Sequence, residues 1–357
     1  MSASAVLFDM RRAINPLEPN AGESENGIVK VKLRVRGIGR ILVLTTVLTA
    51  ATLADVTVVE DRLSTDMLVW ANFVWRRTEV QGVSASRSDF YRRAGLLGIT
   101  GHVSNITSVR LYVNLGDPWG QSAHDLYVDF RWPSGLLLRA GQFTPPLSLE
   151  ATRRFEEWEL VEYSLIARHW KPGDPRDVGV MVGYAWRVLR AEAAVVNGNG
   201  RNQGFDSDNK WKDLCGRLIL DWPGESGLTF AVRGYLGKPD ELGTAFTNLG
   251  GEVVYDRGSL QVAAEGQHAA FGYDAWNSVN IQASYSLRRW LEPVARFQME
   301  FQSQDRYDFG ATAGVNFPIH GDRLKVMLDF NYWHRESRIA ANVVTERKIY
   351  LQVQAAL

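Results

Sequence analysis

Seven arginines are the residues of this chain best suited to act on a solute. A guanidinium group keeps its positive charge at every working pH, and it binds a phosphate or a carboxylate through two parallel hydrogen bonds. A row of such groups along a water-filled passage would pass anions from one weak site to the next. Four occupy polar positions of alternating segments and three lie in a segment without alternation: Arg93, Arg110, Arg131 and Arg139, then Arg153, Arg154 and Arg168.

The same arginines could instead have a structural role. Ion pairs with nearby carboxylates would hold the non-alternating segment against neighbouring strands and leave little charge for a solute. The carboxylates suited to this are Asp125, Asp129, Glu150, Glu156 and Glu159. Both interpretations stay open for each arginine at this point.

Other chemistry is poorly represented, and we expect no enzyme, no cofactor and no metal site. The six histidines lack the spacing of a zinc site, and the chain has neither a Gly-x-Ser-x-Gly nor a phosphate-loop motif. Cys215 is the only cysteine, which excludes an intramolecular disulfide. A site of Ser, His and a carboxylate at a rim stays open, because such residues meet in space and not in sequence. The net charge of zero indicates no nucleic-acid partner.

From about residue 55 onward, polar and apolar residues alternate, which is the pattern of strands with two different faces. The alternation is clearest in six segments: 108–115, 125–132, 278–285, 292–301, 323–332 and 348–357. In residues 323–332 we expect Lys325 and Asp329 on a water-filled face, where both would tolerate Gln, and Val326 and Leu328 on the apolar face.

Alternation alone does not tell whether the apolar face meets a protein core or a lipid bilayer. Many segments have ten or more residues, which suits a tilted membrane crossing of about 9–11 residues. Tryptophans mark segment ends, as in interfacial girdles: Trp132, Trp186, Trp222 and Trp290. The sequence therefore predicts an all-β fold, a transmembrane antiparallel up-and-down β-barrel of about sixteen strands that is closed because lipid tolerates no unpaired backbone. The alternative is a secreted soluble β-rich binding protein.

The first 54 residues are typical of a targeting segment. We expect residues 1–29 to be an unstructured extension or the result of a misassigned start, and residues 30–54 to be a signal peptide with a basic beginning and an apolar centre from Ile41 to Leu53. A single membrane anchor is the alternative. Residues 1–54 carry seven basic and four acidic residues, so the remaining chain, 55–357, has a net charge of −3.

Residues 147–170 interrupt the alternation. Phe155, Trp158, Val161 and Leu165 recur at helical spacing, and Ser148 is placed as a possible N-cap. We expect this partly helical segment to fold into the lumen as a constriction loop, with an external loop of solvated charges as the alternative.

Residues 139–150 resemble a Gly-Gln-Phe-Lys-x-Pro-Phe-x-Leu-Glu motif of the phosphate-selective porin O and P family. The matching residues are Gly141, Gln142, Phe143, Pro145, Pro146 and Glu150. Further pieces follow in that family's order at 162–165, 175–179, 196–200 and 212–218, so the resemblance covers roughly residues 90–220. It implies a sixteen-stranded, usually trimeric outer-membrane barrel with an inward-folded loop.

Three departures limit what this resemblance implies. Thr144 replaces the lysine of the motif, Leu147 replaces its second aromatic residue, and Leu357 stands where such barrels commonly end in an aromatic residue. A strongly anion-selective pore needs a cationic lumen, whereas residues 55–357 are slightly acidic. We therefore expect the family's architecture but not its phosphate specificity.

These observations together predict a porin of the bacterial outer membrane, a passive diffusion channel for small hydrophilic solutes. The lumen arginines would make it weakly selective for anions such as phosphate, and its partners would be membrane lipid, small ions or anionic solutes, and two further copies in a homotrimer. Besides the soluble binding protein, a plugged barrel with an adhesive or structural role is an alternative.

Overall fold

The computed structural model describes residues 62–116, 123–169, 176–201, 210–224, 226–238, 243–303, 306–337 and 342–357. The predicted extension at 1–29 and the predicted signal peptide at 30–54 lie outside these residues. The side chain of Arg93 also lies outside the described part of the chain.

The described chain forms sixteen strands. In chain order they are β1 (Leu63–Val80), β2 (Val83–His102), β3 (Thr107–Asn114), β4 (Ala123–Arg131), β5 (Leu136–Phe143), β6 (Asp177–Trp186), β7 (Leu189–Val196), β8 (Asp213–Asp221), β9 (Leu228–Gly237), β10 (Phe246–Arg257), β11 (Leu260–Phe271), β12 (Asp274–Tyr285), β13 (Glu292–Gln302), β14 (Arg306–Pro318), β15 (Leu324–Ser337) and β16 (Asn342–Ala356). Between β5 and β6 lie two short helices and a 3-10 turn: α1 (Leu149–Thr152), the turn Phe155–Glu157 and α2 (Leu165–His169).

Each strand pairs antiparallel with its neighbours in the sequence, and β1 pairs with β16, so the sheet is a closed up-and-down barrel. The closing register runs from Leu68 opposite Ala356 to Val80 opposite Val344. Closure leaves no sheet edge that would need water, which is the condition for a sheet inside a bilayer. Among the described residues, no helix is long and apolar enough to cross a membrane.

Burial alternates along the strands and confirms the predicted faces. On β13, Arg296, Gln298 and Glu300 are at most 5% exposed, whereas Phe297 and Phe301 are 43% and 49% exposed. The polar side chains therefore face the interior, and the apolar side chains form the outer surface. This is the inverse of a soluble protein, and it makes the outer surface a lipid-facing belt. The closed barrel with an apolar outer surface speaks against the alternative predicted from the sequence, a secreted soluble β-rich binding protein.

The two ends of the barrel differ. Leu63 and Ala356 lie at one end, and the connection between β5 and β6 leaves from the other. Outer-membrane barrels have short turns on the periplasmic side and longer loops on the extracellular side. The end at which β5 stops and β6 begins is therefore called the loop end, and the opposite end is called the turn end.

Substitutions on β15 test this assignment of faces. We expect Val326→Arg and Leu328→Arg to reduce assembly by about 2–4 kcal/mol each, because an arginine would lie in hydrocarbon. Lys325→Gln and Asp329→Gln change the lumen face and should leave the barrel assembled. The shift in gel mobility between heated and unheated protein measures assembly. Equal effects of the two pairs would contradict the assignment.

Candidate functional site

The segment between β5 and β6 folds into the lumen, as predicted. Its backbone is bonded to side chains that point inward from distant strands: the Val161 amide donates to Asp329 Oδ2 at 2.6 Å, and the Leu165 amide donates to Gln298 Oε1 at 2.8 Å. An external loop of solvated charges is thereby excluded. Asp329 was expected to face water, but it is fully buried beneath the loop.

The loop is only partly helical. Ser148 caps α1 as predicted, accepting the Ala151 amide on its side chain, but α1 has four residues and α2 has five. The spacing of Trp158, Val161 and Leu165 does not reflect a continuous helix. These three side chains are at most 4% exposed, because they pack against the barrel wall. Side chains of the barrel wall accept hydrogen bonds from backbone amides of the loop, so the loop does not need a regular helix to pair these groups.

Arg296 on β13 is the main anchor of the loop. Its Nη1 donates to the Glu162 carbonyl at 2.7 Å, and its Nη2 donates to Glu150 Oε1 at 2.8 Å. The other carboxylate oxygen of Glu150 accepts the Ser164 amide at 2.7 Å. Burial alone would raise the pKa of Glu150, but Arg296 and Ser164 outweigh it and lower the pKa. Glu150 therefore bonds the loop to the wall and does not neutralise a pore arginine.

A second anchor surrounds Glu162. Its carboxylate accepts Lys348 Nζ at 3.0 Å, the Tyr350 hydroxyl, and Arg168 Nη2 at 3.1 Å. Burial opposes ionisation, yet Arg168 and Lys348 lower the pKa of Glu162 to about 2. Arg168 was expected to contact solute; instead it belongs to this anchor and does not line the cavity described below.

A third set of contacts holds the tip of the loop. Lys325 Nζ donates to the carbonyls of Glu156 at 2.8 Å and Trp158 at 2.7 Å. The expectation that Lys325 faces open water is therefore wrong, since loop carbonyls occupy its donors. Glu159 accepts hydrogen bonds from Gln282 and Ser284, and its burial raises its pKa.

The residues that resemble the family motif position the start of the loop. Gly141 has a φ of 128°, and a side chain there would collide with the Leu126 carbonyl. Gln142 Nε2 donates to two carbonyls of β4, those of Ala123 and His124, both at 2.9 Å. Phe143, Pro145 and Pro146 are buried. The motif therefore has an architectural role here.

A cavity of about 810 Å³ lies between the loop and the wall formed by β1 to β8. It extends to the β2–β3 connection at the turn end, where Ser104 and Asn105 line it. Among the described residues, eight arginines and five carboxylates line this cavity. The arginines are Arg110, Arg131, Arg139, Arg153, Arg154, Arg176, Arg190 and Arg217, and the carboxylates are Asp66, Asp125, Asp129, Glu156 and Glu192.

Five of the seven predicted arginines thus meet at one cavity. Arg176, Arg190 and Arg217 were missed, although two of them stand in segments that resemble the family. Arg190 could have been found from alternation, because it and Glu192 occupy lumen positions of β7.

Most of the arginines that line the cavity lie close to a carboxylate that offsets their charge. Arg110 binds Asp66 through both terminal nitrogens at 2.5 and 2.8 Å, and Arg176 binds Asp125 at 2.9 Å. On the loop, Arg154 pairs with Glu156, and Arg153 lies 3.9 Å from Glu159. The structural interpretation of the arginines is therefore correct in part.

Asp129 is shared by two arginines. Arg139, directly opposite on β5, bonds both of its oxygens at 2.7 and 2.9 Å, and Arg131 on the same strand lies 2.9 Å away. The Arg139 guanidinium also lies 3.8 Å from the centre of the Tyr127 ring, which fixes its plane. Since one carboxylate serves two guanidinium groups, one positive charge is left over. The side chain of Arg131 is 61% exposed.

Part of the lumen is filled by apolar residues, which alternation did not predict. Inward-facing side chains of β5 to β11 form a buried cluster with Leu147 of the loop. The members include Phe143, Met181, Val196, Cys215, Tyr235 and Phe246. These side chains therefore occupy part of the lumen, and the cavity described above lies beside the arginines.

No family model matches this chain, and no curated protein sequence matches it either. Solved structures do match. An anion-selective porin from Comamonas acidovorans has a TM-score of 0.65 at 14% identity, over 83% of this chain and 99% of the porin. The outer-membrane channel DcaP of Acinetobacter baumannii has a TM-score of 0.61 at 10% identity, over 83% of this chain and 97% of DcaP.

OprB of Pseudomonas putida also has a TM-score of 0.61 at 10% identity, over 83% of this chain and 94% of OprB. At these identities the similarity shows a shared fold, and it does not confirm the resemblance to the phosphate-selective family. The chain has the fold of outer-membrane porins and carries a lipid-facing belt on its outer surface, and its place is the bacterial outer membrane.

Proposed function

We propose that the protein is a passive diffusion channel for small hydrophilic solutes with a weak preference for anions. The observation that carries this proposal is the arginine-rich cavity beside the inward-folded loop. A charge has its largest effect where little water screens it, so the walls beside the loop dominate selectivity. One of the structural neighbours is itself named an anion-selective porin.

The preference is weak because carboxylates offset most of the arginines. Among the described lining residues, arginines outnumber carboxylates by three. Three carboxylates that do not line the cavity offset this difference, since Arg190 pairs with Asp221, Arg217 pairs with Glu252, and Arg153 lies 3.9 Å from Glu159. Two loop glutamates, Glu150 and Glu162, are bonded to the wall and do not line the cavity. They therefore cancel less of the pore charge than their number in the sequence indicated. Thr144, in place of the family's lysine, lines the cavity without charge, so we propose no phosphate specificity.

The proposal includes the processing and assembly expected from the sequence. Residues 30–54 would direct export and be removed, and residues 1–29 would not belong to the mature protein. We propose a homotrimer, in keeping with a structural neighbour described in a trimer form, OmpT of Vibrio cholerae. A plugged barrel is the second candidate, because the loop and the apolar cluster fill much of the lumen.

Conductance in planar bilayers tests the proposal. We expect discrete openings and, in a salt gradient, a reversal potential displaced modestly toward that of the anion. Absence of openings would favour the plugged barrel. A reversal potential on the cation side would contradict the anion preference, and strong block by phosphate would show that phosphate specificity has been underrated.

Removing charge from the loop should reduce the anion preference. We expect Arg153→Gln with Arg154→Gln to shift the reversal potential modestly toward the cation, because both side chains line the cavity. The control is Arg288→Gln with Arg289→Gln, which removes the same charge from the exposed β12–β13 connection. At physiological salt that distant charge is screened within about 8 Å. Equal shifts for both variants would place Arg153 and Arg154 outside the conduction path.

The anchors formed by Glu150 and Glu162 should resist acid, because the pKa of each carboxyl group is lowered. The pKa of Glu162 is lowered to about 2, so its bonds to Lys348 and Tyr350 are fully present above the ordinary carboxyl pKa and are lost only as the pH falls toward 2. We expect steady single-channel conductance from pH 7 to about pH 4. Glu162→Gln should loosen the loop at neutral pH and give larger, noisier openings. A quiet, unchanged channel in this variant would show that Glu162 does not hold the constriction.

A further inference from the structure

Two arginines on the outer surface of the barrel face each other without a carboxylate between them. Arg77 on β1 and Arg347 on β16 are directly opposite in the register. Both lie on the lipid-facing side of their strands, in line with the exposed Val69 and Val353. Like charges directly opposite on neighbouring strands are destabilising.

No described residue neutralises this pair. Arg77 Nη2 donates to the Ser84 hydroxyl at 3.2 Å, and the Arg347 guanidinium lies 5.9 Å from the Tyr332 ring. The carboxylates nearest in the register on the same face are Glu79, two residues beyond Arg77, and Glu336 on β15. Neither forms an ion pair with these arginines among the residues that the structure describes.

A neighbouring pair on the opposite face shows how the protein treats arginines that meet the lumen. Arg76 and Arg87 are also directly opposite each other, on β1 and β2. Both have a carboxylate partner: Arg76 lies 3.6 Å from Glu346, which also pairs with Lys348 at 2.7 Å, and Arg87 lies 2.6 Å from Asp89. The arginines on the lumen side therefore form ion pairs with carboxylates, whereas Arg77 and Arg347, each on the lipid side, form none among the described residues.

The position of the outer pair indicates what neutralises it. Trp75 and Ile349 are directly opposite each other on the same face, each two residues closer to the middle of its strand than the arginine. On β15, Tyr332 lies directly opposite Arg347. Aromatic residues of this kind mark the interface between hydrocarbon and headgroups. The arginines thus lie at headgroup level, near the loop end.

We propose that Arg77 and Arg347 together bind the phosphate of an anionic lipid in the leaflet at the loop end. A phosphate offers several acceptor oxygens, and two guanidinium groups can hold it through parallel hydrogen bonds. The lipid supplies the negative charge that the protein lacks at this point, and it removes the repulsion between the two arginines. The proposal depends on the membrane barrel and not on conduction.

Retained lipid tests the proposal. The full-length protein in neutral detergent is incubated with phosphatidylglycerol and phosphatidylcholine that have the same acyl chains. Native mass spectrometry then counts the lipids that stay bound. We expect preferential retention of phosphatidylglycerol, which Arg77→Gln with Arg347→Gln lowers by about tenfold, from the usual contribution of an arginine near an anionic lipid surface. The control, Arg76→Gln with Arg87→Gln, should keep the preference. Equal retention of the two lipids, or an equal loss in the control, would overturn the proposal.

Two further measurements separate the alternatives. An excess of inorganic phosphate should not displace the retained phosphatidylglycerol; complete displacement would indicate a site for a soluble anion and overturn the proposal. In neutral detergent without lipid, Arg77→Gln with Arg347→Gln should unfold at the same or a higher temperature than the unaltered protein, because the repulsion is relieved. A lower temperature would show that the arginines stabilise the barrel themselves, and the lipid site would be rejected.

Discussion

In the hydrocarbon layer of a membrane no water is present to bond peptide groups, and each unpaired amide or carbonyl costs several kcal/mol. The pairing of β1 with β16 meets this constraint, because it removes the last open edge from a sheet of sixteen strands. Once the sheet is closed, every strand has one face toward lipid and one toward the lumen. The alternation of the sequence, the apolar outer belt and the polar interior all follow from that closure.

A polar interior creates a second problem, since groups removed from bulk water need partners within the protein. The loop between β5 and β6 and the barrel wall provide these hydrogen-bond partners to each other. Asp329 and Gln298 accept backbone amides of the loop, and Arg296 donates to a loop carbonyl and a loop carboxylate. Breaking one member of such a buried network leaves an uncompensated charge, so the network holds the loop in a single position. The inward-folded position of the loop therefore depends on these buried contacts.

Local pattern was sufficient to predict the architecture from the sequence, and it was insufficient for the contacts of the site. The faces of β13 and β15 follow from period-two alternation, which needs only neighbouring residues. The partners of the loop do not: Val161 bonds Asp329 and Glu162 bonds Lys348, 168 and 186 residues away. Arg168 therefore had the same sequence signal as Arg153, and only the fold shows that one is an anchor and the other lines the cavity. Tyr235 and Phe246 point into the lumen against the polar rule, because a filled part of the lumen behaves as an ordinary protein core.

The arginines of this chain show how environment decides the role of one side chain. Arg296 is buried and surrounded by acceptors, so its charge is used for structure. At Asp129 one carboxylate serves Arg131 and Arg139, so the pair is held in place and keeps one positive charge. In the proposed channel, selectivity depends on the difference between guanidinium groups and carboxylates along the wall, and not on the number of arginines. Asp129 both fixes Arg139 and halves the charge of the pair, so in the proposed channel a weak attraction for anions follows from holding the arginines in place.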